Sequence, residues 1–404
     1  MTTTIYTLRR AAIAALFLSA PFANAQVGTG SVDEPLTVQE VTCAGNLQTS
    51  CDFIRDHLYL KPGDALDEEQ IRNAELRLSA LRNFESVKFR LEKGEKRGAV
   101  IVVIEVEEAS PITTESLLGL SARTESQRGV FAGRVAHQNL FGQGKIAEFS
   151  AIALVPFAGD TVNEAYDVSL RYADPQLFGS SRYFAVANAT WRKRRYSDVY
   201  GNFGFLDAGQ LEFTVGRRFA DFSYFSYTII FRPDNNWLAG RWKSDGTFVI
   251  TTPESYSKHA SKLTYGWSTE DDLHFPTQGT TLQLTAGGDY EPSSPIGRSH
   301  FQFRKTWPSS NAYWTVKVGG DPSPEYRRSF GESQLLALSY ARPVKPGDEI
   351  QRGRWYIEPG LALKGYTSTG DLFYEYGIKA GFRADTRTFG LVDLYVVGAK
   401  DATR

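Results

Sequence analysis

Tyr166-Asp167-Val168-Ser169-Leu170-Arg171-Tyr172 alternates apolar and polar residues without a break. A period of two puts the four apolar residues on one face of an extended strand and Asp167, Ser169 and Arg171 on the other. The pattern recurs. Leu211, Phe213 and Val215 alternate with Glu212, Thr214 and Gly216, and Leu263, Tyr265 and Trp267 with Lys262, Thr264 and Gly266. Trp314, Val316 and Val318 alternate with Tyr313, Thr315 and Lys317, and Tyr374, Tyr376, Ile378 and Phe382 with Glu375, Gly377, Lys379 and Gly381. One apolar face would also suit a sandwich or a soluble barrel. Three features favour a membrane wall. The runs are about 9–12 residues long, which a tilted strand needs to cross a bilayer. No crossover helices interrupt them. Their polar face carries charges, which suits a wet lumen better than a protein core. Aromatics sit near strand ends (Phe157, Tyr183, Tyr196, Trp237, Trp307, Tyr366), where an interfacial girdle wants them.

Counted outward from this stretch, strands run from residues 113–123 to residues 389–399, and there are about fifteen. Either the 233–257 connection holds one more, because it contains GTFVITT, or the last strand is missing, since the sequence ends LYVVGAKDATR and not in an aromatic. An antiparallel barrel closes most simply on an even number, so the expectation is a transmembrane β-barrel of about 15–16 strands over residues 111–404. The bulk numbers agree. The chain has 404 residues, a net charge of -1, 13% aromatics and 36 glycines. Near-zero charge gives no case for nucleic acid. After the N-terminus no apolar run approaches the roughly 18 residues of a transmembrane helix.

At the N-terminus, Arg9 and Arg10 precede the apolar run Ala11 to Ala20, and Ala23-Asn24-Ala25 supplies a small-x-small cleavage site. Residues 1–25 read as a secretory signal peptide and 26–35 as a linker. Residues 36–110 read as a small α+β domain. Leu36 to Ala44 is a strand ending in the Gly45-Asn46 turn. Ser50 or Asp52 caps a short helix. Asp67 caps a second helix, with Gln70 three residues on. Two strands, SVKFRL and AVIVVIEV, complete a β-α-α-β-β order. Cys43 and Cys51 flank the first connection. In an exported chain two such cysteines pair, the alternative being two free buried thiols, and metal binding needs more ligands than this stretch offers.

Motifs for an enzyme are missing: there is no G-x-S-x-G, no P-loop and no strand-linked G-x-G-x-x-G, and the five histidines are scattered. No catalytic set, cofactor or metal is expected.

Several turns carry a resemblance. Asn139-Leu140-Phe141-Gly142-Gln143-Gly144, Asp174-Pro175 with Leu177-Phe178-Gly179, and Asp271-Asp272 with Phe275-Pro276-Thr277-Gln278-Gly279 resemble, in order and spacing, turns of the BamA/TamA-type (bacterial surface antigen) insertase superfamily. The domain at 36–110 is similar to that family's POTRA module. The resemblance implies a bacterial outer-membrane barrel with its N-terminal domain in the periplasm. It implies that unfolded outer-membrane or secreted clients bind by strand addition, with periplasmic accessory proteins as possible partners. The same resemblance covers Lys317–Tyr340, KVGGDPSPEYRRSFGESQLLALSY, which is similar to a family loop that folds back into the lumen. Arg328 and Phe330 stand at its arginine and aromatic positions, Ser329 replaces its glycine and Arg327 its small residue. A desolvated guanidinium needs carboxylate acceptors. Strand parity turns Glu358 inward as first choice, with Glu375 and Asp393 as second choices; the alternative leaves Arg327 and Arg328 as solvated loop charges. The function implied is insertion of client strands at the barrel seam. The alternative is a two-partner-secretion translocon exporting a soluble partner through the lumen. The N-terminal domain argues against a passive porin.

Overall fold

A computed structural model describes residues 36–402 apart from residue 82 and residues 124–126, 157–164, 198–201, 233–234, 243–247, 252–258, 273–274, 290–295, 321–333, 348–349, 367–371 and 387–388. The expected signal peptide and linker lie outside the described residues.

The N-terminal domain follows the expected order: β1 (Thr37–Ala44), α1 (Cys51–Leu58), α2 (Glu68–Ser79), β2 (Phe84–Lys93) and β3 (Ala99–Glu108). Ser50 is the cap of α1, its hydroxyl accepting from the Phe53 N–H, and Asp67 caps α2 by accepting from the Gln70 N–H at 2.6 Å. Each cap satisfies an amide that the first helical turn leaves unpaired. The helices direct Phe53, Ile54, Leu58, Ala74 and Leu78 onto a sheet of order β1-β3-β2. β3 is central. Val102 and Ile104 are fully buried, and Val103 on the opposite face is buried too. That is why its sequence is a β-branched run rather than an alternation.

The barrel comprises β4 (Ile112–Arg123), β5 (Gln127–Leu140), β6 (Lys145–Pro156), β7 (Ala165–Asp174), β8 (Tyr183–Ser197), β9 (Asn202–Arg218), β10 (Ser223–Phe231), β11 (Asn235–Trp242), β12 (Phe248–Thr251), β13 (His259–Ser268), β14 (Gly279–Asp289), β15 (Ile296–Ser309), β16 (Ala312–Gly320), β17 (Gln334–Val344), β18 (Ile350–Tyr366), β19 (Leu372–Thr386) and β20 (Gly390–Ala402). The 233–257 connection does not add a lane to the wall. β9 pairs with β10 through its C-terminal half and with β11 through its N-terminal half. β12 pairs with β11, and β13 with β10. β10 and β11 therefore share one lane, and β12 and β13 the next.

The described strands thus form fifteen lanes closed into a barrel. An odd count has a topological consequence. Neighbours alternate in direction, so the first and last lanes point the same way. β20 pairs with β4 in parallel, Leu391–Ala399 against Glu115–Arg123. The even closure that antiparallel pairing favours is not realised, and this seam is the one parallel pair among the barrel's described strands.

The alternation sorts as expected. Tyr166, Val168, Leu170, Tyr172, Phe213, Val215, Leu263, Tyr376, Ile378, Leu394 and Val396 are all exposed on the outer wall. Such an apolar surface needs a hydrocarbon solvent. The inner face carries cross-strand hydroxyl pairs: Ser169 with Thr190 at 3.0 Å, Thr214 with Thr228 at 2.8 Å, Thr264 with Thr285 at 3.1 Å and Thr306 with Thr315 at 3.0 Å. Of the aromatics expected at strand ends, Tyr183 and Trp307 are exposed. Phe157 lies outside the described residues, as do the side chains of Tyr196, Trp237 and Tyr366.

Candidate functional site

The inner wall beside the seam carries a belt of charges. Parity puts Arg354, Tyr356 and Glu358 on the inner face of β18, and register sets Glu358 opposite Lys379 and Arg383 opposite Asp393. Glu358 and Asp393 are each only 4% exposed. Carboxylates so desolvated require cationic or hydroxyl partners, and both have them. Lys317 Nζ lies 2.6 Å from Glu358. Asp393 accepts from the Tyr356 hydroxyl at 2.8 Å and from Arg383 Nε at 3.1 Å, with a second, shorter bond from Arg383 Nη2. Lys379 Nζ lies 4.0 Å from the centre of the Tyr395 ring.

This belt reaches the seam. A Cβ at Gly119 on β4 would lie 2.3 Å from the Tyr395 ring, so the aromatic of the last strand rests on the first strand only because residue 119 is glycine. Thr114 Oγ1 donates across the seam to the Phe389 carbonyl at 3.0 Å. The described ion pairs tie each side of the seam to its own neighbours. Arg134 on β5 joins Glu115 on β4 (2.5 Å) to Glu148 on β6 (2.7 Å), and Arg171 on β7 joins the same Glu148 at 3.2 Å.

Two of the three acceptors read from parity, Glu358 and Asp393, are therefore buried and brought into one belt. Glu375 sits on β19 at inner parity, its side chain outside the described residues. Arg327, Arg328 and Phe330 also lie outside them. The reading from sequence missed Lys317, Lys379 and Tyr356. Lys317 and Lys379 were visible as polar-face residues, but only the cross-strand register shows which carboxylate each meets.

A second feature is the rim at which the N-terminal domain docks. The Asn139–Gly144 turn receives the β1–α1 connection. Asn139 Nδ2 donates to Thr49 Oγ1 at 2.9 Å, and the Ser50 N–H donates to the Gly142 carbonyl at 2.9 Å. Gly142 has φ +67°, and a Cβ there would lie 2.2 Å from the Gln48 carbonyl oxygen, so only glycine fits. Glu108 holds that connection from the other side, accepting from the N–H groups of Gln48 (3.0 Å) and Thr49 (2.6 Å). Cys43 and Cys51 are joined by a disulfide at its base, S–S 1.98 Å.

The next turn, Asp174 to Arg182, grips α1. The Asp56 carboxylate accepts from Gln176 Nε2 at 3.0 Å and from the Ser181 N–H, while Ser181 Oγ donates to the Asp56 carbonyl at 2.6 Å. Burial alone would raise the Asp56 carboxyl, but these hydrogen bonds outweigh it and hold it below its ordinary value. A third turn, Phe219 to Phe222, takes α2: Arg77 donates to the Ala220 carbonyl at 2.8 Å and lies 5.2 Å from the Phe222 ring. Burial also drives the His57 imidazole down to about 4, against an opposing hydrogen bond to the Phe53 carbonyl, with Arg218 adding to the fall. Two of the family-like turns read from sequence are thus the sockets that hold the first domain.

The third feature is a free sheet edge. The outer side of β1 is covered: the Val38 N–H donates to the Asp64 carbonyl (2.9 Å), the Gly63 N–H to the Val38 carbonyl (2.7 Å) and Arg55 Nε to the Val41 carbonyl (2.9 Å). β2 pairs with β3 on one side, and on its other side no described backbone hydrogen bond occupies it. Charged Arg90 and Glu92 line it, as is common for edges kept from self-association.

Comparison with known proteins agrees with this architecture. The family model described as POTRA, surface antigen variable number repeat, matches residues 36–109. No curated protein gives a significant match. Among solved structures, CdiB from Escherichia coli is similar at 12% identity and TM-score 0.57, covering 87% of this chain and 70% of that one. CdiB from Acinetobacter baumannii is similar at 10% identity and TM-score 0.54, covering 89% and 73%. BamA from Haemophilus ducreyi lacking POTRA domains 1–3 aligns at 12% identity and TM-score 0.45, covering 91% and 81%. The likeness to the CdiB structures is one of fold.

Proposed function

We propose that this chain, one POTRA domain joined to a fifteen-strand barrel of the Omp85-superfamily fold, assembles client strands into the bacterial outer membrane. The observation that carries the reading is the seam. Parallel ladders are slightly weaker per residue than antiparallel ones, and β4·β20 is the parallel pair in an otherwise antiparallel wall. Residue for residue it is the weakest ladder of the wall. A strand entering lipid unpaired leaves its backbone groups unsatisfied, whereas a strand added to an opened seam does not. The free edge of β2 supports a first step, in which an extended client segment adds to the POTRA sheet through main-chain hydrogen bonds. No nucleotide is involved, and client folding supplies the driving force. In this reading the charged inner belt, with Arg328 of the loop joining Lys317 at Glu358, holds β18–β20 as one rigid side of the gate.

The test is reconstitution of the purified protein in liposomes with a urea-unfolded outer-membrane barrel as client. Faster acquisition of protease protection and heat-resistant mobility than in empty liposomes is expected. A second reading, export of a soluble partner through the lumen, is favoured by the fold likeness to CdiB. It takes over if client barrels gain nothing from the protein and its loss from cells leaves barrel levels intact while blocking secretion of one soluble protein.

A further inference from the structure

We infer that the POTRA-bearing rim holds a phosphate site for an anionic phospholipid of the adjoining leaflet, shared between Arg77 of α2 and Arg182 and Arg217 of the barrel. The inference needs only that the wall spans a bilayer, so it stands whether the barrel assembles clients or exports a partner. Four arginines meet where α2 touches the rim ends of β8 and β9. Arg218 is used by the fold: it donates to the Pro175 and Ser181 carbonyls at 2.9 and 3.0 Å and lies 4.5 Å from the Phe184 ring. Arg77 donates to the Leu58 and Ala220 carbonyls at 2.9 and 2.8 Å, but its buried Nε has no partner. Its guanidinium lies 4.7 Å from the Tyr59 ring and that of Arg182 lies 5.5 Å from the same ring, so two cations share one phenol. Arg217 lies 5.2 Å from the Phe219 ring and 5.9 Å from the Tyr183 ring. Among the described residues, no carboxylate pairs with any of the four, and the guanidinium groups of Arg182 and Arg217 have no hydrogen-bond acceptor.

The carboxylates nearby are already committed. Asp56 accepts from Gln176 and Ser181, Asp221 accepts from the Ser223 hydroxyl at 2.6 Å, and Asp174 faces Lys145 at 3.5 Å. Partly desolvated cations without a counter-charge call for an anion, and the planar fork of arginine matches phosphate oxygens. Position names the source of that phosphate. Phe213 and Val215 are exposed on the lipid-facing side of β9, and Arg217 continues that face at the rim. Register sets it between Tyr183 and Phe225, both exposed on the same face. A cation that ends a lipid-facing row among aromatics stands at headgroup depth. On the turn that leads to Arg182, Phe178 is 88% exposed at φ +59°, a conformation that few residues other than glycine adopt. The headgroup boundary gives that apolar side chain a solvent, which a site for free phosphate would not need.

The experiment uses the full-length protein in detergent with added phosphatidylglycerol, phosphatidylcholine or inorganic phosphate, and native mass spectrometry counts what is retained. At least fivefold more phosphatidylglycerol than phosphatidylcholine should be retained. Arg182→Gln and Arg217→Gln, both at exposed positions, should each lower that retention at least threefold while keeping wild-type heat-resistant mobility. Lys305→Gln removes one exposed cation from the outer face elsewhere and should leave retention unchanged. Equal retention by the arginine variants, or an equal loss in Lys305→Gln, overturns the site. Displacement of the lipid by inorganic phosphate at the same concentration makes it a site for a free anion and overturns the lipid assignment. A second measurement tests the sharing between domains. In bilayers containing phosphatidylglycerol, the Ser50 amide at the POTRA dock should exchange at least fivefold more slowly than in phosphatidylcholine alone, and the Arg182→Gln/Arg217→Gln double variant should lose the difference. Equal exchange of the wild-type protein in the two bilayers overturns a site shared with Arg77. Failure of the wild-type chain to gain heat-resistant mobility in either bilayer would instead count against the membrane-barrel reading.

Discussion

Asp56→Ala tests whether the POTRA domain is held on the barrel rim as one cooperative contact. The substitution removes the acceptor of the Gln176 amide and of the Ser181 N–H, and Ser181 is fully buried. Hydrogen bonds to a charged group are worth about 1.5–3 kcal/mol each. The carboxylate is only partly buried, so about 2–3 kcal/mol for the pair is the fitting estimate. Tenfold per 1.4 kcal/mol makes this about 30- to 150-fold in the opening equilibrium. Native-state hydrogen exchange reads it residue by residue. The Ser181 amide loses its acceptor and must exchange faster in any case. The decisive amide is Ser50, which donates to the Gly142 carbonyl in a different turn. If the three turns hold the domain together, Ser50 accelerates by a similar factor. Exchange of Ser50 within twofold of wild type refutes the cooperative reading and reduces the interface to independent local contacts.

Truncating either member of the Lys317–Glu358 pair should lower barrel stability by about 2–3 kcal/mol, the lower end for a buried pair because Lys317 is partly exposed. The double variant should cost less than the sum, as read by urea midpoints in bilayers; additive losses would mean that the two do not interact. His57 gives a pH dependence. Its folded value of about 4 lies below the ordinary 6.5, so its contribution is present above pH 6.5 and is lost as the pH falls toward 4. The maximum is on the order of 3 kcal/mol, and the slope should vanish in His57→Leu, with exchange of the Val102 amide as readout. Reducing Cys43–Cys51, which are 8 residues apart, should cost the domain about 2.5 kcal/mol. It should also speed exchange at Ser50, since the closed loop is the one that meets the barrel; an unchanged Ser50 amide would separate the disulfide from docking.

The extent to which the fold was legible varies with the range of the interaction. The strands were readable from Tyr166–Tyr172 and its repeats because a two-residue period is a local property, and lipid outside with water inside makes it obligatory. The caps at Ser50 and Asp67 were readable for the same reason, since each partner lies three residues away. The inward carboxylates Glu358 and Asp393 followed from parity. Their partners did not, because Lys317 lies 41 residues from Glu358. The family-like turns were visible as motifs, yet their contact with the POTRA domain was not, since the stretches between Thr49 and Asn139 and between Asp56 and Ser181 contain α2, two strands of the first sheet and one or more barrel lanes.

By itself, then, the sequence determined a wall of alternating strands behind a small α+β domain, the two cysteines, and the residues with inner parity. Tertiary structure alone decided how that wall closes. Whether residues 233–257 form new lanes or lengthen old ones depends on which strands β9 and β10 meet, and that choice makes the count odd. From the odd count follows the parallel seam. No local pattern records it, because direction at closure is a property of the whole ring and of no single strand.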